Sequence, residues 1–159
     1  MIHNHCFAFE SDFTADLRCL PMAVRRKLDL AGVKLKLVHW AALTPQERQR
    51  LLDWPDSTPE IVALRQWLLE RTASLAEGPA RAIEPATSAP WQQDQDLPAV
   101  VAAAVAQLDL ELRPESWQGL GELQRFALVK LSHPGHEHRN LPRALAEFGL
   151  LPCPRPTNR

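Results

Sequence analysis

Glycine is scarce in this sequence, with 6 residues in 159, and cysteine scarcer still, with 3. Charge of one sign is absent too: 18 Lys and Arg stand against 19 Asp and Glu, for a formal net charge of -1. Each shortage excludes something. Cys6, Cys19 and Cys153 are odd in number, widely spaced and without a Cys-x-x-Cys pair, so reduced thiols are expected rather than a disulfide framework. A near-zero charge balance excludes a bulk polyanion binder, because affinity for nucleic acid comes mainly from clustered cations neutralising phosphates. No apolar run reaches the length of about 18 residues that a membrane-spanning helix needs. Met1 to Cys6 lacks the charged and apolar regions of a secretory signal, which leaves the cytoplasm as the expected compartment. Nucleophile elbow, P-loop, Gly-x-Gly-x-x-Gly and His-Glu-x-x-His are all missing, and the carboxylates form no recognisable pair, so an enzyme is not expected.

What is present favours helices. Fourteen prolines set against so few glycines fit helices opened by Pro and joined by stiff connections. Thr44-Pro45-Gln46-Glu47 supplies a capping hydroxyl, a Pro at the first helical position and a Glu three residues after the cap, and Ser57-Thr58-Pro59-Glu60 repeats that logic. The first of these helices should stop at Trp54-Pro55, since the residue before a Pro is pushed out of the helical region. The second runs from Pro59 to about Leu75, with Ile61, Leu64, Leu68 and Leu75 at helical spacing and Gly78-Pro79 beyond it. Further helices are predicted over Pro21 to Leu30, stopped by Gly32, and over Pro98 to Gln107, Leu120 to Leu131 and Leu141 to Phe148. Two stretches alternate as half-buried strands do, Val33-Leu35-Leu37 and Leu108-Leu110-Leu112, and Phe7-Ala8-Phe9 is a weaker third. The expected fold is mainly α: a single compact domain over 1–159, a bundle of about six helices with a minor short β-ribbon.

Residues 77–97 are rich in Pro and Ala with few large apolar side chains and read as a linker between halves at 7–76 and 98–151, followed by a flexible tail at 152–159. Sliding one half over the other by 77 residues superposes Pro21 on Pro98, Val24 on Val101, Leu35 on Leu112, Trp40 on Trp117, Leu43 on Leu120, Arg48 on Arg125 and Leu51 on Leu128. Internal duplication is one explanation and chance matching of common residues the other. Under duplication, the two alternating stretches would pair about a pseudo-two-fold axis, with Lys34 and Lys36 facing Glu111 across the ribbon. Trp40 and Trp117 would then fill equivalent places in one core.

Two local clusters could carry chemistry. Arg18, Arg25, Arg26, Lys27, Lys34 and Lys36 make the most basic stretch of the chain. It suits an acidic patch on a partner or a phosphate-bearing pterin, with a solvated face balanced by Asp12, Asp16 and Asp29 as the plain alternative. Arg25, Arg26 and Lys27 are consecutive, so they fan around a helix and cannot all be buried. Cys19 lies beside Arg18 at a helix start, a setting for a reactive thiol, although a buried core Cys is the commoner outcome. His133-Pro134-Gly135-His136-Glu137-His138 offers three imidazoles and a carboxylate. Such a loop can ligate a metal, contact a partner, or lead into a helix with His136 and Glu137 bonding the backbone. His3, His5 and Cys6 would complete a four-ligand set only if the N-terminus folded back.

Leu17-Arg18-Cys19-Leu20-Pro21-Met22, the run through Gly32-Val33-Lys34-Leu35-Lys36-Leu37 to Trp40, then Glu47-Arg48, Gln124-Arg125-Phe126-Ala127-Leu128, Lys130-Leu131-Ser132, Pro134-Gly135-His136-Glu137, Asn140 and Glu147-Phe148-Gly149 resemble the nitrate reductase-associated proteins of cyanobacteria and other bacteria. The resemblance implies an accessory or maturation protein needed for active assimilatory nitrate reductase and acting by protein-protein binding. Molybdenum cofactor and iron-sulfur chemistry would then belong to the partner, since this chain is too short and too poor in Cys to hold a cluster on four thiolates. On that reading no cofactor, nucleic acid or membrane is expected. The partner surface is expected at Arg18, Cys19, Arg25, Lys27, Lys34, Lys36, His136 and Glu137. The alternative is a small metal- or cofactor-binding protein using the His133 to His138 loop.

Overall fold

The computed structural model describes residues 3–134, 140–150 and 153–154. Two units divide the chain, Met1–Thr87 and Ser88–Arg159. The first unit opens with a 3-10 turn at Ala8–Glu10 and a single helical turn, α1 (Ser11–Thr14). It continues with α2 (Met22–Ala31), β1 (Val33–Lys34), α3 (Leu37–Ala42), α4 (Pro45–Asp53), α5 (Thr58–Ala73) and β2 (Arg81–Ala82). The second holds a 3-10 turn at Pro90–Gln92, then α6 (Ala99–Gln107), β3 (Leu110–Glu111), α7 (Pro114–Gln118), α8 (Glu122–Leu131), α9 (Asn140–Glu147) and β4 (Cys153–Pro154). The protein is therefore mainly α, with two very short antiparallel ribbons among the described residues, β1 with β2 and β3 with β4.

Local chemistry explains the element ends. Thr44 caps α4, its Oγ1 accepting from the Glu47 amide at 3.1 Å while the Glu47 carboxylate accepts from the Thr44 amide at 2.9 Å. Glu10, fully buried, does the same work at longer range, accepting from the Phe7 amide at 3.0 Å and from the Met22 amide, the first of α2, at 2.9 Å. Gly32 ends α2 in the left-handed region at φ 73 and turns the chain directly into β1. The core of the first unit forms around Val24, Leu28, Trp40, Leu51, Leu64 and Leu68, all buried. Side chains of this kind contribute roughly 1.5–3 kcal/mol each when taken out of water. Val101, Val105, Trp117, Leu128, Leu141 and Leu145 are buried likewise in the second.

Those two lists are one list read at a shift of 77 residues. The four pairs α2 and α6, β1 and β3, α3 and α7, α4 and α8 each begin 77 residues apart. The correspondence extends to hydrogen bonds. Leu43 donates to Trp40 and Leu120 to Trp117, both at 3.1 Å. Thr44 donates to Glu47 and Gly121 to Gln124, both at 2.9 Å. Gly32 and Asp109, equivalent positions, are both left-handed, at φ 73 and φ 58. The register runs past the seven identities seen in the sequence to Leu64 with Leu141 and Leu68 with Leu145. One plan is built twice: helix, strand, short helix, helix, helix, closing strand.

Several expectations need correction. The strand stretches are two residues long each, because α3 begins at Leu37 and α7 at Pro114. Lys36 takes up the cap position of α3, where the His39 ring accepts its amide at 3.1 Å, so the apparent alternation breaks there. Phe7-Ala8-Phe9 is no strand but leads into the 3-10 turn that Glu10 closes. The two alternating stretches do not pair with each other: Lys34 stands opposite Arg81 and Glu111 opposite Cys153. Each strand thus closes its own unit, and each Trp lies in the core of its own unit. Within 77–97, Arg81–Ala82 forms β2, and Trp91 is buried with its ring edge-on to Phe126 at 5.1 Å.

Two glycines provide a matched test. A Cβ on Gly32 would lie 2.5 Å from Arg65 Nη1 and 2.5 Å from the Ile83 carbonyl oxygen, whereas Gly78, at φ 80, has open space around it. Gly78→Ala should cost about 1 kcal/mol from backbone strain alone. Gly32→Ala adds the collision and should cost roughly 3 kcal/mol or more. Urea unfolding of the two variants reads the gap, and equal costs would mean that Arg65 and the chain at Ile83 move aside freely.

Candidate functional site

The basic stretch divides into two sets once α2 is folded. Arg26 and Lys27 face inward and are buried, while Arg25 is exposed. Arg26 Nη1 pairs with Asp56 Oδ2 at 3.1 Å. Lys27 Nζ donates to the carbonyls of Leu51 at 3.4 Å and Leu52 at 2.5 Å, the last turn of α4, where an ammonium group complements both the unpaired carbonyls and the negative end of the helix dipole. Burial pushes the Lys27 amine down to about 8; Asp56 and Asp53 oppose that fall and Arg26 adds to it. Lys27 is therefore removed from the expected partner surface: it is a fastener between α2 and α4, placed inside by the approach of a helix end that lies far along the chain.

The remaining cations of the set stay outside. Arg18 is exposed and pairs with Asp16 at 3.0 Å. Arg25 Nε donates to the Leu20 carbonyl at 3.0 Å, and the buried Trp40 donates its indole N–H to the Leu17 carbonyl at 2.7 Å. The loop from Leu17 to Leu20, which carries Arg18 and the half-buried Cys19, is thus held between Arg25 on one side and α3 on the other. At the head of α3, Lys34 and Lys36 are exposed, and neither forms an ion pair among the described residues. Beside them stand Leu37, 55% exposed, and Val38, 49% exposed. Sequence reasoning missed these two, because Leu37 completes the alternation of an apparent strand and Val38 carries no chemical label.

Next in the chain, the backbone locks. His39 is buried, with Nδ1 accepting from the Lys36 amide at 3.1 Å and Nε2 donating to the Gly78 carbonyl at 3.0 Å. Those two bonds specify the Nε2-protonated tautomer. Lys36, Leu37 and Val38 are therefore presented by a segment fixed immediately after them.

His136 and Glu137 lie outside the described residues. His133 is exposed, its Nδ1 2.9 Å from the Pro134 carbonyl oxygen. Among the described residues no group of three or more His, Cys, Asp and Glu is placed to hold a metal. Partial burial, reinforced by the charges of Glu10 and Asp53, raises the Cys6 thiol, which disfavours the thiolate a metal or nucleophile role needs. A groove of about 360 Å³ beside Leu30, Ile61, Val62 and Pro85 is apolar. Its two charged neighbours are committed elsewhere, Asp56 to Arg26 and Arg65 Nη1 to the carbonyls of Ala31, Gly32 and Ile83, each at 3.0 Å. No described helix is long and apolar enough to cross a membrane.

Fold and surface together define a mainly helical protein, built twice on one plan, with exposed cations and aliphatic side chains along the head of α3 in its first unit. The chain belongs to the conserved nitrate reductase-associated protein family, whose model matches residues 6–148. No curated protein and no solved structure matches it. Several residues that carry the family resemblance are fasteners. Glu47 forms a two-bond ion pair with Arg71, at 2.7 and 3.1 Å, which holds its carboxyl below the usual range. Arg48 donates to the carbonyls of Trp40 at 3.1 Å and Ala41 at 3.0 Å, and Arg125, its counterpart, to those of Trp91 at 3.1 Å and Leu120 at 2.6 Å.

The Lys27 assignment has a pH signature. Its folded value lies below the 10.5 of the free side chain, so between pH 8 and 10.5 the unfolded chain binds a proton that the folded chain has released, and stability from this group rises with pH across that window. Below pH 8 the penalty is fully present, at most about 3 kcal/mol. Wild type should therefore gain on Lys27→Met when urea midpoints are compared from pH 7 to 10. A constant difference would show that the buried amine keeps its proton.

Proposed function

We propose that this protein is an accessory factor that supports the maturation of assimilatory nitrate reductase by binding the reductase directly, through the exposed face formed by Arg18, Cys19, Arg25, Lys34 and Lys36. His136 and Glu137 belong to the same proposal on family resemblance alone. Membership in the nitrate reductase-associated family supports the choice of partner. The observation that carries the binding role is that Lys34 and Lys36 remain exposed without ion-pair partners among the described residues, next to exposed Leu37 and Val38. A fold that draws Arg26 and Lys27 inward to satisfy its own groups has left these cations for something else. The protein acts in the cytoplasm, performs no catalysis of its own, and meets molybdenum cofactor only through the reductase.

Charge reversal tests this on the cations that are outside. Lys34→Glu with Lys36→Glu should leave the thermal melt close to wild type, as surface substitutions away from structural bonds usually do. In a deletion strain grown on nitrate it should restore less than a tenth of the reductase activity that the wild-type gene restores. Affinity purification of tagged wild-type protein should recover the reductase, and recovery should fall with the double variant. Full activity from a folded double variant would remove this face from the proposal.

A further inference from the structure

The second unit serves as an internal control for the first. Both present a short helix at the same place in the plan, locked by a buried Trp whose indole donates to a backbone carbonyl, Trp40 to Leu17 at 2.7 Å and Trp117 to Gln93 at 3.2 Å. At the positions of Leu37 and Val38 the second unit carries Pro114 and Glu115, and at the positions of Lys34 and Lys36 it carries Glu111 and Arg113. All four of these second-unit residues are exposed. The frame therefore folds with polar or Pro residues at this corner, and packing does not explain the two aliphatic side chains of the first unit.

We propose that the head of α3 is a docking corner for an amphipathic acidic segment of the reductase, with Leu37 and Val38 as its apolar anchors and Lys34 and Lys36 as its charge readers. The inference rests on the functional reading above and adds the chemistry of the partner. Charge complementarity selects the occupant. Two exposed lysines two residues apart, unpaired among the described residues, favour carboxylates, and a basic segment would meet like charge. The adjacent aliphatic pair requires that the same segment present apolar side chains, which gain affinity when water is expelled between them. Pre-organisation keeps the entropic cost low. His39, 2% exposed, and Trp40, fully buried, fix the backbone directly after the anchors, so little order remains to be imposed on binding. Arg18, on the loop that Trp40 holds, and Arg25, which bonds that loop at Leu20, are further exposed cations of the same unit and add to its positive field.

The test is binding of purified full-length protein to purified nitrate reductase from the same source, by interferometry at two salt concentrations. Leu37→Ser with Val38→Ser should weaken binding at least tenfold while its melt stays close to wild type, since both side chains are already about half exposed. Lys34→Glu with Lys36→Glu should slow association at low salt and remove the acceleration that lowering the salt gives wild type. Glu115→Ser, in the second unit, should bind as wild type does. If wild type binds and the Leu37, Val38 double variant binds equally well, the docking corner is overturned while the functional reading stands. Failure of wild type itself to bind would overturn the functional reading, and the corner with it. Tighter binding by the Lys34, Lys36 reversal would show a basic partner segment and overturn the assigned chemistry.

Discussion

A helix leaves four amide N–H groups and four carbonyls without intrahelical partners at its ends, whatever its length. This protein is assembled from helices of 4 to 16 residues, most of them near the short end, so unpaired ends are a large share of its backbone. Burial makes each of them costly unless paired. Much of the charged and aromatic chemistry of the chain answers that one constraint. Glu10 serves the start of α2, Lys27 the end of α4, Arg48 the carbonyls of α3, and Arg65 the turn from α2 into β1. Trp40 and Trp117 each satisfy a loop carbonyl while filling a core.

That constraint also sorts the residues that carry the family resemblance. Glu47-Arg48 and Gln124-Arg125 look like functional charges when met in a sequence, yet each pair closes a cap at the equivalent place in its unit and ties down carbonyls with its Arg, Trp40 and Ala41 in one, Trp91 and Leu120 in the other. A charged residue that makes such a bond is accounted for by the fold, so Arg18 and Arg25, bonded to Asp16 and to the Leu20 carbonyl, contribute to the proposed face through their charge alone. The residues left over, Lys34, Lys36, Leu37 and Val38, form a shorter list than the motifs alone offered.

Sequence reading succeeded where the signal was local. The cap at Thr44, the stop at Trp54-Pro55 and the terminating Gly32 each act within a few residues, and α5 starts at Thr58 as its Pro predicts although the Ser57 hydroxyl makes no cap bond; six helices follow from such features with ends correct to within about two residues. It failed where distant groups decide. Nothing near Lys27 announces that the end of α4 will arrive beside it, so a helix with three consecutive cations gave no way to tell which of them turns inward. The short helix α3 was hidden because Lys34-Leu35-Lys36-Leu37 alternates, and the cap that ends the alternation is the His39 ring folding back on Lys36. The duplication was legible in seven identities, but the pairing inferred from it was not, because strands of two residues leave no periodicity from which to choose a partner.

Each ribbon joins the early strand of a unit to the closing one, β1 to residues 81–82 and β3 to residues 153–154. During synthesis the chain emerges from its N-terminus, and a unit can form once its last strand has cleared the ribosome. The first unit is complete at about residue 87, with the second still to be translated. The face at the head of α3 can therefore be finished while the protein is still a nascent chain, and a partner able to reach the translating ribosome could meet it there.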